Sequence, residues 1–396
     1  MHGFIPGCSF SKRYLFFLFL LMLSFQCSIR PQHRPFAAIP ESKKFTFRCT
    51  WIRCMGDCAI NNFTFQERVF RIMGRLSIGI DLGGTYIKAG VITDQGNAVR
   101  QWKIPTEGQQ GGPVVVQRMS DLIAEILESP EVASKKASVV GIGIGSPGLV
   151  DQKAGTITRP VNIPNWEDAV PIKKIFEKRH RLPVFVDNDA NACGLGEACF
   201  GAGRGKSVVV ALTLGTGVGG AIVVDGKVFH GAKGYAGELG HTCVDPEGPP
   251  CACGSLGCIE GYASANAIAR YATELVAQGR HKSWLVDWSR DGTPITSKMV
   301  YEAALKEDSL ALRVISRAGQ YLGVAVSNFC VALNPEVVVI GGGASAMGDL
   351  LFDHVRREID MRVYFSPYYT TPVCRAQLGE DAGFTGAACL ALSGEN

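Results

Sequence analysis

The stretch GELGHTCVDPEGPPCACGSLGCIEG, residues 237–261, places His241, Cys251, Cys253 and Cys258 within eighteen positions and brackets them with Glu238 and Glu260. Cys251 follows the histidine by ten residues, Cys253 comes two later and Cys258 five later. One imidazole and three thiolates complete a tetrahedral set, the donor chemistry of a closed structural Zn²⁺ site. Four protein ligands leave no position for a reacting water, so the metal is expected to shape the loop and not to do chemistry. Gly254, Gly257 and the pair Pro249-Pro250 supply the tight turns that chelation needs. A metal on one imidazole nitrogen also fixes the direction of the other. Glu238 lies three residues before the histidine and Glu260 two after the last cysteine, so one ion anchors three polar groups. Their natural common target is a polyol, whose hydroxyls donate to carboxylates; the alternative is a pair of solvated loop charges.

Further acids stand in VFVDNDANACGLGE, where Asp187, Asn188 and Asp189 end an apolar run and precede an Ala-rich stretch that reads as a helix. Either aspartate suits proton transfer, and either suits an N-cap. Asp81-Leu-Gly83-Gly84-Thr85 and Leu214-Gly215-Thr216-Gly217 each read as a turn between two strands. Missing side chains there let backbone N–H groups and a threonine hydroxyl approach phosphate oxygens, and Asp81 is placed to take part in Mg²⁺ coordination through water. A third glycine cluster, Gly341-Gly342-Gly343, follows the buried run Val337–Ile340 and suits a flat adenine ring lying on the backbone.

The elements that must position these residues form an α/β series from Gly74 onward. LSIGID, YIKAGVIT and AVRQWKI read as three strands in succession; Val115, Met119, Leu122, Ile123 and Ile126 then recur at helical spacing before the strand ASVVGIGIG. The second half repeats the theme. At an offset of 132 residues Leu82 falls on Leu214, Gly83 on Gly215, Ala89 on Ala221 and Val91 on Val223, which points to one supersecondary plan used twice, with a ligand cleft between the copies. Two stretches satisfy G-x-G-x-x-G, Gly143–Gly148 and Gly215–Gly220, but the dinucleotide fold needs a helix next and neither has one. FGAGRGKS lacks the first glycine of a phosphate loop and precedes its strand. Both nucleotide-fold classes are excluded.

Charge divides the chain. Residues 1–73 carry ten Lys or Arg against three Asp or Glu, leaving 30 against 33 in the remaining 323, so the body makes no electrostatic case for nucleic acid. The apolar run Tyr14–Phe25 is short for a membrane span, and no stable span is expected. Three readings of residues 1–73 stay open: an extension from a mis-called start ahead of MGRLSIGIDLGGT, an organelle-targeting segment, or a signal-type apolar core. The nine cysteines beyond residue 73 fit a reducing, cytoplasmic setting, with no disulfide framework implied.

DLGGT with Lys88 downstream, VDNDAN, LTLGTGVGG, AGELGH, CACGSLGCIEGYAS and NPEVVVIGGG occur in the order and at roughly the spacing of the repressor, open reading frame, kinase family, over about residues 76–391. The resemblance implies an α/β protein with the two-lobed, actin-like ATPase (ribonuclease H-like) fold: a small lobe, 74–189, completed by a C-terminal helix near 380–394, and a large lobe, 190–379, carrying the zinc loop 241–258. It implies ATP and Mg²⁺ held at Asp81, Gly83, Gly84, Thr85, Lys88, Gly215, Thr216, Gly217 and Gly341–Gly343, and a sugar held by Asn188, Glu238, His241, Glu260, Asn162 and Gly148. In the family the residue matching Asp189 accepts the proton of the attacking hydroxyl, so ATP-dependent phosphorylation of a hexose is expected. The segments CIEGYASANAIA and PVNIPNW resemble the glucokinase branch; N-acetylmannosamine, fructose and mannose kinases carry similar signatures. Members are usually dimers or tetramers. A sugar-responsive repressor and a non-catalytic sugar-binding protein share this body, but the head shows no pair of amphipathic helices joined by a short glycine turn, as a DNA-binding module requires.

Overall fold

A computed structural model describes residues 74–134, 138–160, 163–166, 168–279, 282–367 and 370–394. All three readings of the basic head therefore lie outside the described residues. Two five-stranded sheets organise the body. The first uses β1 (Leu76–Leu82), β2 (Tyr86–Thr93), β3 (Ala98–Pro105), β4 (Val139–Ser146) and β7 (Val184–Asn188) in the order β3-β2-β1-β4-β7. The second uses β8 (Val208–Leu214), β9 (Val218–Val224), β10 (Lys227–Val228), β11 (Val337–Gly341) and β12 (Val373–Arg375) in the order β10-β9-β8-β11-β12. Between β4 and β7 lies a small hairpin of β5 (Leu149–Asp151) and β6 (Thr156–Thr158).

The internal repeat reappears in the pairing, with a turn one residue shorter in the second copy. Leu76 opposes Thr93 and Leu82 opposes Ile87 in the first hairpin; at the positions 132 residues after Leu76 and Leu82, Val208 opposes Val224 and Leu214 opposes Val218. In both sheets the leading strand of the hairpin then pairs in parallel with a later one, β1 with β4 and β8 with β11. Such central strands bury both faces and read as continuous apolar runs, as LSIGIDL and VVVIG do.

Helices cover the sheets. The expected periodic segment is α1 (Gly112–Glu128), which turns Val115, Met119, Leu122, Ile123 and Ile126 into the first core. Next in the chain come α2 (Ile172–His180), α3 (Asp189–Phe200) and α4 (Ala265–Ala277). They are followed by α5 (Ser309–Leu333), α6 (Asp349–Arg362) and α7 (Ala382–Ser393). Helix α5 is capped by Asp308, whose carboxylate accepts from Leu310 N and Ala311 N at 3.0 Å each. Its apolar face closes the core beneath the second sheet.

The C-terminal helix α7 packs against the first sheet and against α3. Its sequence AGFTGAACLALS is small and apolar on every side, the composition of a helix with no solvent face, and only its last two residues escape full burial. The small residues allow backbone to touch backbone. A Cβ on Gly79 would lie 1.8 Å from the Phe384 carbonyl oxygen, and one on Gly143 would lie 1.6 Å from that of Ala387. On the facing side, a Cβ on Gly386 would lie 1.6 Å from the Ala192 carbonyl. Trp166 is a core residue: it is 9% exposed, and its indole N–H donates to the Ile157 carbonyl at 2.9 Å.

Because backbone cannot retreat as a flexible side chain does, Gly143→Ala is expected to cost about 3 kcal/mol or more of stability. Equilibrium urea unfolding measures this; an unchanged midpoint would rule out the seating of α7 on β4.

Candidate active site

The corner between β7 and α3 gives different surroundings to two aspartates, of which the family motif favours Asp189 as the proton acceptor. Asp187 is 1% exposed, and both its oxygens are engaged. Oδ1 accepts from Asn188 N at 2.7 Å and from Asn191 Nδ2 at 2.9 Å, while Oδ2 lies 2.7 Å from His230 Nε2. The capping role falls to neither aspartate. Asn188 is the N-cap, its Oδ1 accepting from Ala190 N at 2.8 Å and Asn191 N at 3.3 Å, so its Nδ2 keeps its donors. Asp189 opens the helix with a half-buried carboxylate whose contact is its own helix, Ala190 N at 2.9 Å. Burial raises its carboxyl above the ordinary range; the Ala190 N–H opposes this, and the negative charge of Glu238 adds to it.

Glu238, Asn188 and Gly148 line one cleft together with Asn191, Gln152 and Tyr235. Gly148 has φ +90°, and a Cβ there would meet the Thr158 and Arg159 carbonyls within 2.9 Å, so only glycine fits this turn. Asn162 lies outside the described residues.

His241 and Glu260 stand at the cysteine cluster. The donor atoms of His241, Cys251, Cys253 and Cys258 all lie within 4.8 Å of one another. Cys251 Sγ is 3.5 Å from His241 Nδ1, and Cys253 Sγ is 3.7 Å from Cys258 Sγ. A tetrahedron with the usual zinc bond lengths has S···N edges of about 3.5 Å and S···S edges of about 3.8 Å, so the four residues fit such an ion, with Nδ1 as the histidine donor and Nε2 left over. Burial, joined by the neighbouring thiols, pushes Cys258 up to about 12; a set of thiolates here calls for a cation. Glu260 joins this cluster to the second glycine turn. Its Oε2 accepts from Val218 N at 3.0 Å, and its Oε1 lies 3.7 Å from Cys251 Sγ. A Cβ on Gly217 would lie 2.4 Å from that Oε2, so Gly217 makes room for a carboxylate.

The two turns spend part of their backbone on themselves. Gly83 N donates to Tyr86 O and Gly215 N to Gly217 O, each at 3.0 Å, leaving the tip residues Gly84, Thr85 and Thr216 exposed to a ligand. Gly341 and Gly342 line a second pocket with Thr213, Cys193 and Ala382. Gly342, at φ +80°, is required by the fold, since a Cβ would meet the Leu214 backbone at 2.5 Å; Gly343 faces open space. Lys88 is turned to Glu380, with Nζ 2.9 Å from Oε2. Asp81 is held against α7, where a Cβ on Gly383 would lie 2.5 Å from its Oδ2. Burial pushes Asp81 up to about 6, helped by the charge of Asp189 and opposed by Lys88.

Among the residues that escaped the sequence reading is a buried acid. Glu197, 3% exposed, accepts from Ala202 N at 2.9 Å and Gln377 N at 3.1 Å through Oε2, and from Leu378 N at 2.7 Å through Oε1. It ties the end of α3 to the segment leading into α7. The available signal was an acid inside an otherwise apolar helix.

A model of the ROK family matches residues 77–393. The chain is 41% identical over 329 residues to a glucokinase of Halalkalibacterium halodurans, covering 81% of this chain and 96% of that one. It is 31% identical to a xylose repressor of Caldicellulosiruptor bescii, covering 80% of this chain but 78% of the repressor. Among solved structures, a ROK hexokinase from Thermus thermophilus superposes with a TM-score of 0.68 at 33% identity, covering 81% of this chain and 98% of that one. A ROK family glucokinase from Streptomyces griseus in complex with glucose and AMPPNP gives 0.65 at 35%, covering 80% and 99%.

The displaced carboxyl of Asp81 yields a stability prediction. Its folded value of about 6 lies above the ordinary 3.8, so the folded state holds the extra proton between these values. Stability falls as pH rises through that window, and the full cost is present above it. Asp81→Asn is therefore expected to be more stable than the wild type at pH 7.5, by on the order of 1–3 kcal/mol, with the difference vanishing near pH 4. Urea unfolding at the two pH values measures both limits, and a variant less stable than wild type at pH 7.5 contradicts the assignment.

Proposed function

The chain belongs to the ROK family, and on that footing we propose that it is an ATP-dependent hexose kinase whose acceptor is glucose, giving glucose 6-phosphate. The observation that carries the catalytic assignment is the division of labour at β7–α3. Asp187 has both oxygens occupied, whereas the Asp189 carboxylate keeps its capacity for a proton and stands within the electrostatic reach of Glu238. Asp189 accepts the proton of the glucose hydroxyl as its oxygen bonds to the γ-phosphorus and the bond to ADP breaks. Asn188 Nδ2, Glu238, His241 Nε2 and the backbone at Gly148 hold the remaining hydroxyls, with Glu260 positioned between the metal loop and the phosphate turn.

The exposed tips at Gly84, Thr85 and Thr216 take the phosphates, and Gly343 lies open to the adenine. We assign the small lobe as 74–189 with α7, and the large lobe as 190–379. Asp81 would help to hold Mg²⁺, which would supply charge neutralisation for the transferring phosphoryl group. His241, Cys251, Cys253 and Cys258 would hold Zn²⁺, which would fix the direction of the imidazole. Lys88 exchanges Glu380 for phosphate when nucleotide binds. Thiolate ligands suit a reducing compartment, and we place the reaction in the cytoplasm. No helix among the described residues is long and apolar enough to cross a membrane.

ADP release measured across a panel of hexoses with ATP tests the reading: glucose is expected to give the highest kcat/KM, ahead of mannose, fructose and N-acetylmannosamine, and silence with all of them overturns it. Asp189→Asn should lose about two to four orders of magnitude in kcat with glucose affinity largely kept. Cys253→Ser should lose its zinc by elemental analysis and bind glucose more weakly; zinc lost with glucose affinity intact would mean that the metal does not aim the histidine.

A further inference from the structure

We propose that His230 is a positioning residue: through Asp187 it holds the loop bearing Glu238 in place across the cleft from Asp189. The inference rests on the kinase reading above and goes further, by identifying what sets the sugar-binding geometry. Asp187 is the penultimate residue of β7, in the first sheet; His230 follows β10, in the second. Their 2.7 Å contact therefore spans the cleft next to Asp189. The loop that His230 begins is closed on itself, since the His230 carbonyl accepts from Ala236 N at 3.1 Å. It is rooted in β9 by Phe229 N, which donates to Ile222 O at 2.8 Å. A second tie reaches it from the turn of the separate β5–β6 hairpin, where Gln152 Nε2 donates to the Gly234 carbonyl at 3.1 Å. The loop then passes Gly237, at φ +100°, where a Cβ would lie 3.1 Å from Asn191 Oδ1, and arrives at Glu238.

The partner that makes this arrangement informative is Asp187. A carboxylate 1% exposed must have its oxygens satisfied. Asn188 N and Asn191 Nδ2 serve Oδ1, both from the start of α3, while Oδ2 is served from across the cleft. Removing the imidazole leaves a buried carboxylate oxygen unpaired, and the loop is free to move away from it. The consequence falls on Glu238 and the sugar, because the phosphate turns at Gly84 and Thr216 belong to other hairpins and do not depend on this contact.

The test compares wild type, His230→Ala and His230→Gln, whose amide can still donate to Asp187. Glucose affinity is measured by calorimetry without nucleotide, and KM for glucose and for ATP by steady-state kinetics. Losing a hydrogen bond to a buried charge should raise the glucose Kd and KM by roughly tenfold to a hundredfold in His230→Ala, with KM for ATP within twofold of wild type and most of the loss restored in His230→Gln. A glucose Kd within twofold of wild type in His230→Ala overturns the inference, as does an equal rise in KM for ATP. If His230→Ala does not fold, Asp187→Asn takes its place, and an unchanged glucose Kd there overturns it equally. Wild-type protein that phosphorylates no hexose removes the kinase reading and this inference together; an active wild type with unaffected variants removes the inference alone.

Discussion

A charge buried away from water persists only where donors surround it, and at the end of β7 this constraint organises the site. Three donors converge on Asp187, from the backbone of Asn188, the side chain of Asn191 and the ring of His230. With that carboxylate satisfied, the cap of α3 passes to Asn188 and the next acid, Asp189, opens the helix beside the Ala190 N–H and the Asn188 side chain. Two carboxylates two residues apart thus acquire different roles from their surroundings, one holding the architecture and the other available for a proton. Glu197 repeats the principle at the far end of the same helix, satisfied by three backbone amides and joining α3 to the approach of α7.

The duplicated sheet explains why the glycine turns come in a pair. Each copy places an antiparallel hairpin at the edge of a parallel pair, so each presents a glycine turn at the same point of its sheet. The copies then diverge by what packs on them. The first sheet receives α7 in direct backbone contact through Gly79 and Gly143, which sets Asp81 against Gly383. The second receives the cysteine loop, whose Glu260 binds the first amide of β9 and occupies the space that a side chain at position 217 would need.

That loop has little regular structure of its own, and two kinds of cross-link compensate. On one side are His241, Cys251, Cys253 and Cys258, whose donor atoms converge in a geometry that fits a metal ion. On the other, Asp245 accepts from Tyr262 Oη at 2.7 Å, Tyr262 stacks on Tyr321 with ring centroids 3.7 Å apart, and the Arg317 guanidinium lies 4.6 Å from the Tyr262 ring. A sugar site built on irregular backbone needs such bracing, because small displacements of a hydroxyl partner cost orientation at the reacting atom.

The sequence by itself determined what depends on near neighbours. Alternation and helical spacing located the strands and α1, glycine and proline located the turns, and the spacing of His241, Cys251, Cys253 and Cys258 located a four-donor cluster whose atoms do converge. The offset of 132 residues anticipated a repeated hairpin whose leading strands correspond, the second turn being one residue shorter. Tertiary structure alone decided matters that turn on residues far apart in the chain. His230, 43 positions from Asp187, makes that aspartate structural; Glu380, 292 positions from Lys88, takes up its ammonium; Glu260 gives Gly217 its reason and the Leu214 backbone gives Gly342 its own. The division has a physical cause. Periodicity and ligand spacing are local properties that a linear pattern records, whereas the state of a carboxylate or the need for a missing side chain is set by whichever distant atoms folding brings within a few ångströms.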